Sequence, residues 1–375
     1  MTEWDEFIQT VEPGTAIDRI IGTFYGHALG SAVGLQTGFA QKKDYPDLEV
    51  TFPSEESNSE FPLNDWTTDT DHMIIVAQSM CEWSFVLNSR NIADRLKTWA
   101  VDGFKELGDT KGLGLESTVK VIMEHPSFSD ELPYNAANIL WQNSGNKFAS
   151  NGSLQRTSIV GAIPADSMCV DWAIHLSRIT HCDPRCILSC IVHSCVIQNL
   201  IYGTTKTTQD VDQHLFSSLN IGRRIIASNT DKSNESMNEK YDAELAELIE
   251  TAYNKNIDML KLDEIAKVRY VFKCLGCSVY VLQVIRVALR EGKTPSFKKV
   301  ITKIVLECGD ADTNAAVGGA TLGAYLGYHA LPTDWINALP NKDWFNKIIM
   351  QFIHEGSKFL WGDDELVEEP TIVEE

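Results

Sequence analysis

Gly309-Asp310-Ala311-Asp312-Thr313-Asn314-Ala315-Ala316 runs directly into Val317-Gly318-Gly319-Ala320-Thr321-Leu322-Gly323-Ala324. The second half is poor helix material by propensity, since a glycine inside a helix costs about 1 kcal/mol relative to alanine. It reads as a central helix whose neighbours must come very close. The first half places two carboxylates and a hydroxyl within four residues at the start of that helix. Magnesium and manganese select such hard oxygens from carboxylates, hydroxyls and water. The plainer reading of the same residues is an aspartate N-cap with a second acid in the first turn, offsetting the helix dipole.

Working outward, the apolar positions of nearly every patterned segment recur at helical spacing. The spacing predicts helices over Ile17–Leu35, Asp69–Phe85, Ile92–Leu107, Asp166–Ile179, Pro184–Tyr202 and Gln209–Ser228. It continues over Asn238–Tyr253, Leu262–Arg290, Ser296–Cys308, Asp312–Tyr328 and Trp344–Leu360. No period-two strand series of comparable strength appears. The fold class is therefore all-α. No repeat or composition break divides the chain, so one compact multi-helix domain is expected over residues 15–361, followed by an acidic, flexible tail over 362–375. Long polar loops at Gly38–Thr67 and Gln142–Gln155 interrupt the helices, and loops of that length in a helical domain are commonly functional.

The formal net charge of −20 argues against a nucleic-acid groove or an anionic membrane surface. The acidic start Met1-Thr2-Glu3-Trp4-Asp5-Glu6 lacks the apolar core of a signal peptide. One uncharged run, Cys186–Thr205, nears the length of a membrane span, but its polar residues and helical spacing favour a buried helix. Nine cysteines in a chain without a leader suit a reduced, cytoplasmic protein, the nucleus remaining open. Cys182, Cys186 and Cys190 fall on one helical face, and Cys274 and Cys277 form a C-x-x-C, so zinc or redox chemistry is an alternative. The turn residues that frame a zinc knuckle are absent, and buried cysteine as a small hydrophobe is the preferred reading.

A second acid-and-hydroxyl cluster, Asp65-Trp66-Thr67-Thr68-Asp69-Thr70-Asp71, also opens a helix. Two helix starts far apart in sequence could face each other and share metal ions. Here the chain resembles the ADP-ribosylglycohydrolase family. Thr67-Thr68-Asp69-Thr70 is similar to that family's Thr-Asp-Asp-Thr element, and Gly309–Ala316 matches its Gly-Asp-x-Asp-Thr-Asn-Ala-Ala element in full. Gly26-His27-Ala28-Leu29-Gly30-Ser31-Ala32-Val33-Gly34 resembles its opening glycine helix. Asn151-Gly152-Ser153-Leu154-Gln155-Arg156 and Thr180-His181-Cys182-Asp183-Pro184 resemble two further elements, in family order.

The resemblance implies an all-α magnesium-dependent hydrolase that cleaves the glycosidic bond between ADP-ribose and a modified side chain or small molecule. Asp310, Asp312 and Thr313 would hold one ion, with Asp312 bridging to a second completed by Thr67 and Asp69. One or two Mg2+ ions, or Mn2+, are expected, and paired metals roughly 3.5–4 Å apart orient substrate and hold a water of lowered pKa. Asp69 or Asp312 would act as the base at the anomeric carbon. The turn Asn151, Gly152, Ser153 would offer N–H donors to a diphosphate, and His181 would contact the ribose.

The family pattern fails at two acids. The first Asp of the paired acids is Thr68, and the glutamate usual after the opening helix is Gly38; Ser31 also stands where an aspartate is common. Asp69, Asp310 and Asp312 then bring −3 against +4 from two magnesium ions, where acids at 68 and 38 would make −5. A second ion should be held more weakly, because magnesium sheds its water reluctantly. Asp65 and Asp71 are the candidate compensating acids, although Asp71, two residues from Asp69, should point away on a regular helix. The alternative function is a catalytically impaired ADP-ribose-binding or structural pseudoenzyme.

Overall fold

Glycine at every fourth position of residues 22–34 lets the helix Ala16–Gly34 lie directly on the helix Ala311–Leu326 in the computed structural model. The structure describes residues 2–44, 49–55, 60–145, 147–228, 235–254 and 256–361. In chain order these form α1 (Glu3–Thr10), α2 (Ala16–Gly34), α3 (Thr68–Glu82), α4 (Ser89–Asp102), α5 (Ser117–Glu124) and α6 (Tyr134–Asn143). Then come α7 (Asp166–Thr180), α8 (Pro184–Tyr202), α9 (Thr208–Ser228), α10 (Glu235–Asn254) and α11 (Val271–Arg290). The chain ends with α12 (Phe297–Val305), α13 (Ala311–Leu326), α14 (Thr333–Ala338) and α15 (Lys342–Gly356). No strand occurs among the described residues, and an isolated antiparallel bridge pairs Ser150 with Tyr270. The expected acidic tail at 362–375 lies outside the described residues.

The contact between α2 and α13 is backbone on backbone. A Cβ at Gly26 would stand 2.2 Å from the Gly319 carbonyl oxygen, and one at Gly30 would stand 2.0 Å from that of Ala315. One at Gly34 would stand 2.4 Å from the Cα of Asp312. No side chain intervenes that could give way, so the glycines forgone as helix formers return as close packing. Around this pair, α7, α8, α11 and α12 close one side, while α15 closes another through Phe345 and Phe352 against Phe24. Trp4 of α1 packs on Tyr25 and Tyr328.

A buried hydrogen-bonded chain threads the core. His27 Nδ1 meets Ser158 Oγ at 3.1 Å, Ser158 meets His193 Nε2 at 3.0 Å, and His193 Nδ1 meets Ser278 Oγ at 3.2 Å. Ser278 then meets Thr321 Oγ1 at 2.8 Å. Burial lowers both imidazoles to about 3, so they are neutral links that tie α2, α8, α11 and α13 together.

Most helices form where the apolar spacing predicts them, and the differences have local causes. The expected helix Leu262–Arg290 begins only at Val271, because residues 269–271 turn to pair with the 149–151 segment. Arg269 O accepts from Asn151 N at 3.0 Å, and Val271 N donates to Ala149 O at 3.0 Å. The segment expected as one helix over 92–107 stops at Asp102, where Gly103 takes φ 64°. Four helices were not expected, namely α1, α5, α6 and α14, and all are short; α5 buries only Val119, Ile122 and Met123. All nine cysteines are free, and Cys274 and Cys277 are buried on α11 as small core residues. The helices α8 and α11 are long and apolar enough to span a bilayer, yet 78% and 67% of their most apolar windows are enclosed by the rest of the fold.

Gly26→Ala is expected to cost about 3 kcal/mol or more in chemical denaturation, the upper range of core overpacking. Gly38→Ala should change stability far less, because φ there is −53° and a Cβ would find nothing nearer than 3.7 Å.

Candidate functional site

The α2–α13 contact carries the start of α13 up to the start of α3. Ser31 of α2 sits one residue beyond Gly30, and its Oγ accepts from the Thr67 amide at 2.9 Å and meets Thr67 Oγ1 at 2.8 Å. Thr67 is the N-cap of α3, with its hydroxyl over Asp69. That hydroxyl donates to Asp69 Oδ2 at 2.9 Å, while Thr313 Oγ1, from the first turn of α13, donates to Asp69 Oδ1 at 3.0 Å. The Thr313–Asp69 bond thus closes a separation of 244 residues in the sequence. Asp310 N-caps α13 without a side-chain cap bond; its Oδ2 accepts from Asn151 Nδ2 at 2.7 Å instead. Thr67, Asp69, Asp310, Asp312 and Thr313 are therefore brought together.

Gly309, just before them, has φ 73°, and a Cβ there would stand 2.1 Å from Leu262 O, so only glycine fits. Two backbone bonds, Phe39 N to Gly309 O and Gly309 N to Ala40 O, dock the chain after α2 against this turn.

Three carboxyls in one buried place repel one another. Burial, with the charges of Asp312 and Asp310 added, pushes Asp69 well above the usual carboxylate range. Burial and Asp312 raise Asp310 to about 8, and burial raises Asp312 as well, offset by hydrogen bonding from backbone amides, Asp310 and Thr67. Asp312 Oδ1 is buried with no hydrogen-bond partner among the described residues. Such a set is stable either protonated or with a cation close by. The acids do not form a closed cage by themselves: among the described residues no three His, Cys, Asp or Glu side chains converge on one ligand position. A hard cation that shares hydroxyl oxygens and keeps several waters fits this donor set.

The acids offered as compensation face elsewhere. Asp71 accepts from the indoles of Trp66 at 2.8 Å and Trp99 at 3.2 Å, as a side chain pointing away from Asp69 must. Asp65 accepts from Asn341 Nδ2 at 2.8 Å. Thr68 donates to Leu113 O, so its hydroxyl also leaves the cluster. Gly38 brings no oxygen of its own side chain.

The Asn151 turn is held by buried Arg156, which donates to Gly152 O at 3.2 Å and to Leu176 O and Thr180 Oγ1, both at 2.6 Å. Ser153 is turned inward, its hydroxyl 3.2 Å from Ser177 Oγ and 3.5 Å from Cys190 Sγ, which leaves its main chain for any ligand. His181 is buried, with Nε2 at 2.8 Å from Ser150 Oγ and Nδ1 at 2.8 Å from Thr180 Oγ1. Burial lowers it to about 4, so it is neutral at pH 7.

Three features escaped the sequence reading. Beside the turn opens a cavity of about 850 Å3, bordered by Lys147, Phe148, Ser150, Lys267, Arg269 and Tyr270. Arg269 joins it to the acid cluster: its guanidinium lies 4.7 Å from the centre of the Phe39 ring, and its charge lowers Asp310 against the burial effect. The third is Glu116, whose Oε2 is 3.7 Å from His181 Nε2. The 149–151 pairing with 269–271, which builds this corner, has no short-range sequence signal.

The sequence pattern of the ADP-ribosylglycohydrolase family matches residues 12–359. An uncharacterized protein of Archaeoglobus fulgidus is 24% identical over 334 residues, covering 88% of this chain and 92% of its own length. A solved structure described as an ADP-ribosylglycohydrolase-related protein complex superposes with a TM-score of 0.64 at 20% identity, covering 91% of this chain and 98% of that one. The latter likeness is one of fold.

A carboxyl raised in the folded state favours folding below its unfolded pKa, and that contribution is lost as pH rises through the folded value. With Asp310 near 8 and Asp69 also raised by burial, the chelator-treated protein should lose stability from pH 6 to pH 9. The slope should be about 1.4 kcal/mol per pH unit for each proton held only by the folded state. Urea melts across that range check it, and Asp310→Asn should flatten the decline.

Proposed function

The chain belongs to the ADP-ribosylglycohydrolase family, and from that premise we propose that it is a metal-dependent hydrolase that releases ADP-ribose from a modified side chain or small molecule. The observation that carries the reading is the meeting of Thr67, Asp69, Asp310, Asp312 and Thr313 from two remote helix starts. These residues would hold magnesium or manganese, which when bound neutralises the acids and polarises the ribose hydroxyls.

The chain's own groups divide the remaining work. Asp69 has both oxygens held by the hydroxyls of Thr67 and Thr313, so it serves as a fixed anchor. Asp312 keeps a partner-free Oδ1 and is the better placed base to take a proton from the water that attacks the anomeric carbon. Asn151 fixes the orientation of Asp310, and Ser31 that of Thr67. The cavity beside Ser150 supplies room and the cations Lys147, Lys267 and Arg269 for the anionic diphosphate. His181, neutral and bonded on both ring nitrogens, holds Ser150 at the border of the cavity.

A second reading is favoured by Thr68, which donates to Leu113 O where the family element carries an acid. On it the chain binds ADP-ribose but turns over poorly, for want of charge to hold a second ion.

Purified protein with magnesium or manganese is expected to release ADP-ribose from ADP-ribosylated substrates, and a chelator should abolish the release. Asp312→Asn should lower the turnover number at least about a hundredfold, the typical contribution of a positioned base. Binding of free ADP-ribose without release under any metal condition selects the second reading, and neither binding nor release rejects both. Gly38→Glu, with open space for its Cβ, is expected to tighten magnesium binding in calorimetry.

A further inference from the structure

Glu116 lies in the 112–116 segment, outside every motif of the sequence, yet that segment joins the two halves of the site. At one end Leu113 O accepts from Thr68 at the start of α3. At the other, Glu116 caps α5 through Oε1, which accepts from the Thr118 amide at 3.3 Å. Its second oxygen, Oε2, has no hydrogen-bond partner among the described residues and is buried; the residue is 8% exposed. That oxygen is aimed at the Asn151 turn: a Cβ on Gly152 would stand 2.6 Å from it. His181 Nε2 is 3.7 Å away, too long for a hydrogen bond, and that nitrogen is already engaged by Ser150 at 2.8 Å.

A buried carboxylate oxygen without a protein donor is costly, which favours a ligand that brings a hydrogen-bond donor to it. A phosphate is excluded by like charge, whereas the cavity a few residues away, where Lys147, Arg185, Lys261, Lys267, Arg269 and Lys273 outnumber Glu244, Glu247 and Glu264, suits one. The ligand's polarity is thereby set, with phosphates towards Lys147 and Arg269 and hydroxyls towards Glu116. We infer that Glu116 is a substrate-positioning residue whose free Oε2 accepts a hydrogen bond from a hydroxyl of the ligand's terminal ribose. The inference rests on the proposed ADP-ribose chemistry of the site. It also accounts for glycine at 152, because a side chain there would displace the carboxylate from this position.

The test compares ADP-ribose with ADP, which lacks the terminal ribose, by calorimetry on the full chain. Glu116→Gln keeps the size and the capping oxygen; it should weaken ADP-ribose about tenfold or more, the loss expected for a hydrogen bond to a charged group, and leave ADP unchanged. Glu116→Asp, which retracts the carboxylate but remains a good N-cap, should give the same selective loss and carries the comparison if the glutamine variant does not fold. Equal weakening of both ligands, or no weakening of either, overturns the positioning role while leaving the site's ADP-ribose chemistry intact. Failure of the unaltered protein to bind ADP-ribose removes the proposed function, and this inference with it.

Discussion

The fold and the site both depend on the direct backbone contact between α2 and α13. Cβ atoms at Gly22, Gly26, Gly30 and Gly34 would each lie within 2.4 Å of the facing α13 backbone. Dispersion between two bare backbones substitutes for side-chain burial, and it works only at one register. That register fixes where α13 begins, since Gly34 rests on Asp312 Cα and Ser31 reaches Thr67. A shift of one residue along either helix would set carbonyls against Cβ atoms and pull the two acid clusters apart.

What is built on this contact is electrostatically unfavourable in isolation. Asp69, Asp310 and Asp312 are all raised by burial, and Asp312 Oδ1 is left without a donor. A stable core would replace such a group with apolar side chains, so its presence marks a place where stability is conceded to chemistry. The neighbouring hydroxyls of Ser31, Thr67 and Thr313 and the amide of Asn151 hold the acids in place without neutralising them. On the proposed function, a cation would supply what the protein lacks there. On the same reading, Lys147, Lys267 and Arg269 at the border of the adjoining cavity would receive anions, in a chain of net charge −20.

Much of this was legible in the residues. Gly318, Gly319 and Gly323 in one helix predicted a central element with close neighbours, and both acid-and-hydroxyl clusters announced helix starts. Their mutual approach was an expectation raised by the two clusters and strengthened by the family resemblance, and the Thr313–Asp69 bond gives it a geometry. The turning away of Asp71 followed from helical spacing alone. Thr68 read as a lost acid, but the Leu113 carbonyl that captures its hydroxyl belongs to a loop with no pattern to read. Glu116 and Arg269 were invisible because each lies outside the patterned helices, Glu116 as the cap before α5 and Arg269 where residues 269–271 pair with 149–151. Such pairings have no periodicity. Short helices such as α5 and α14 bury too few positions to leave a pattern.

The central claim is that the two helix starts form one cation site. Anomalous diffraction from crystals grown with manganese tests it most directly. The account predicts a peak between Asp69 and Asp312, about 2.1–2.3 Å from oxygens of Asp310 or Asp312, with water completing the shell. A manganese peak elsewhere, or none at saturating metal with the three acids still hydrogen-bonded as described, would contradict it.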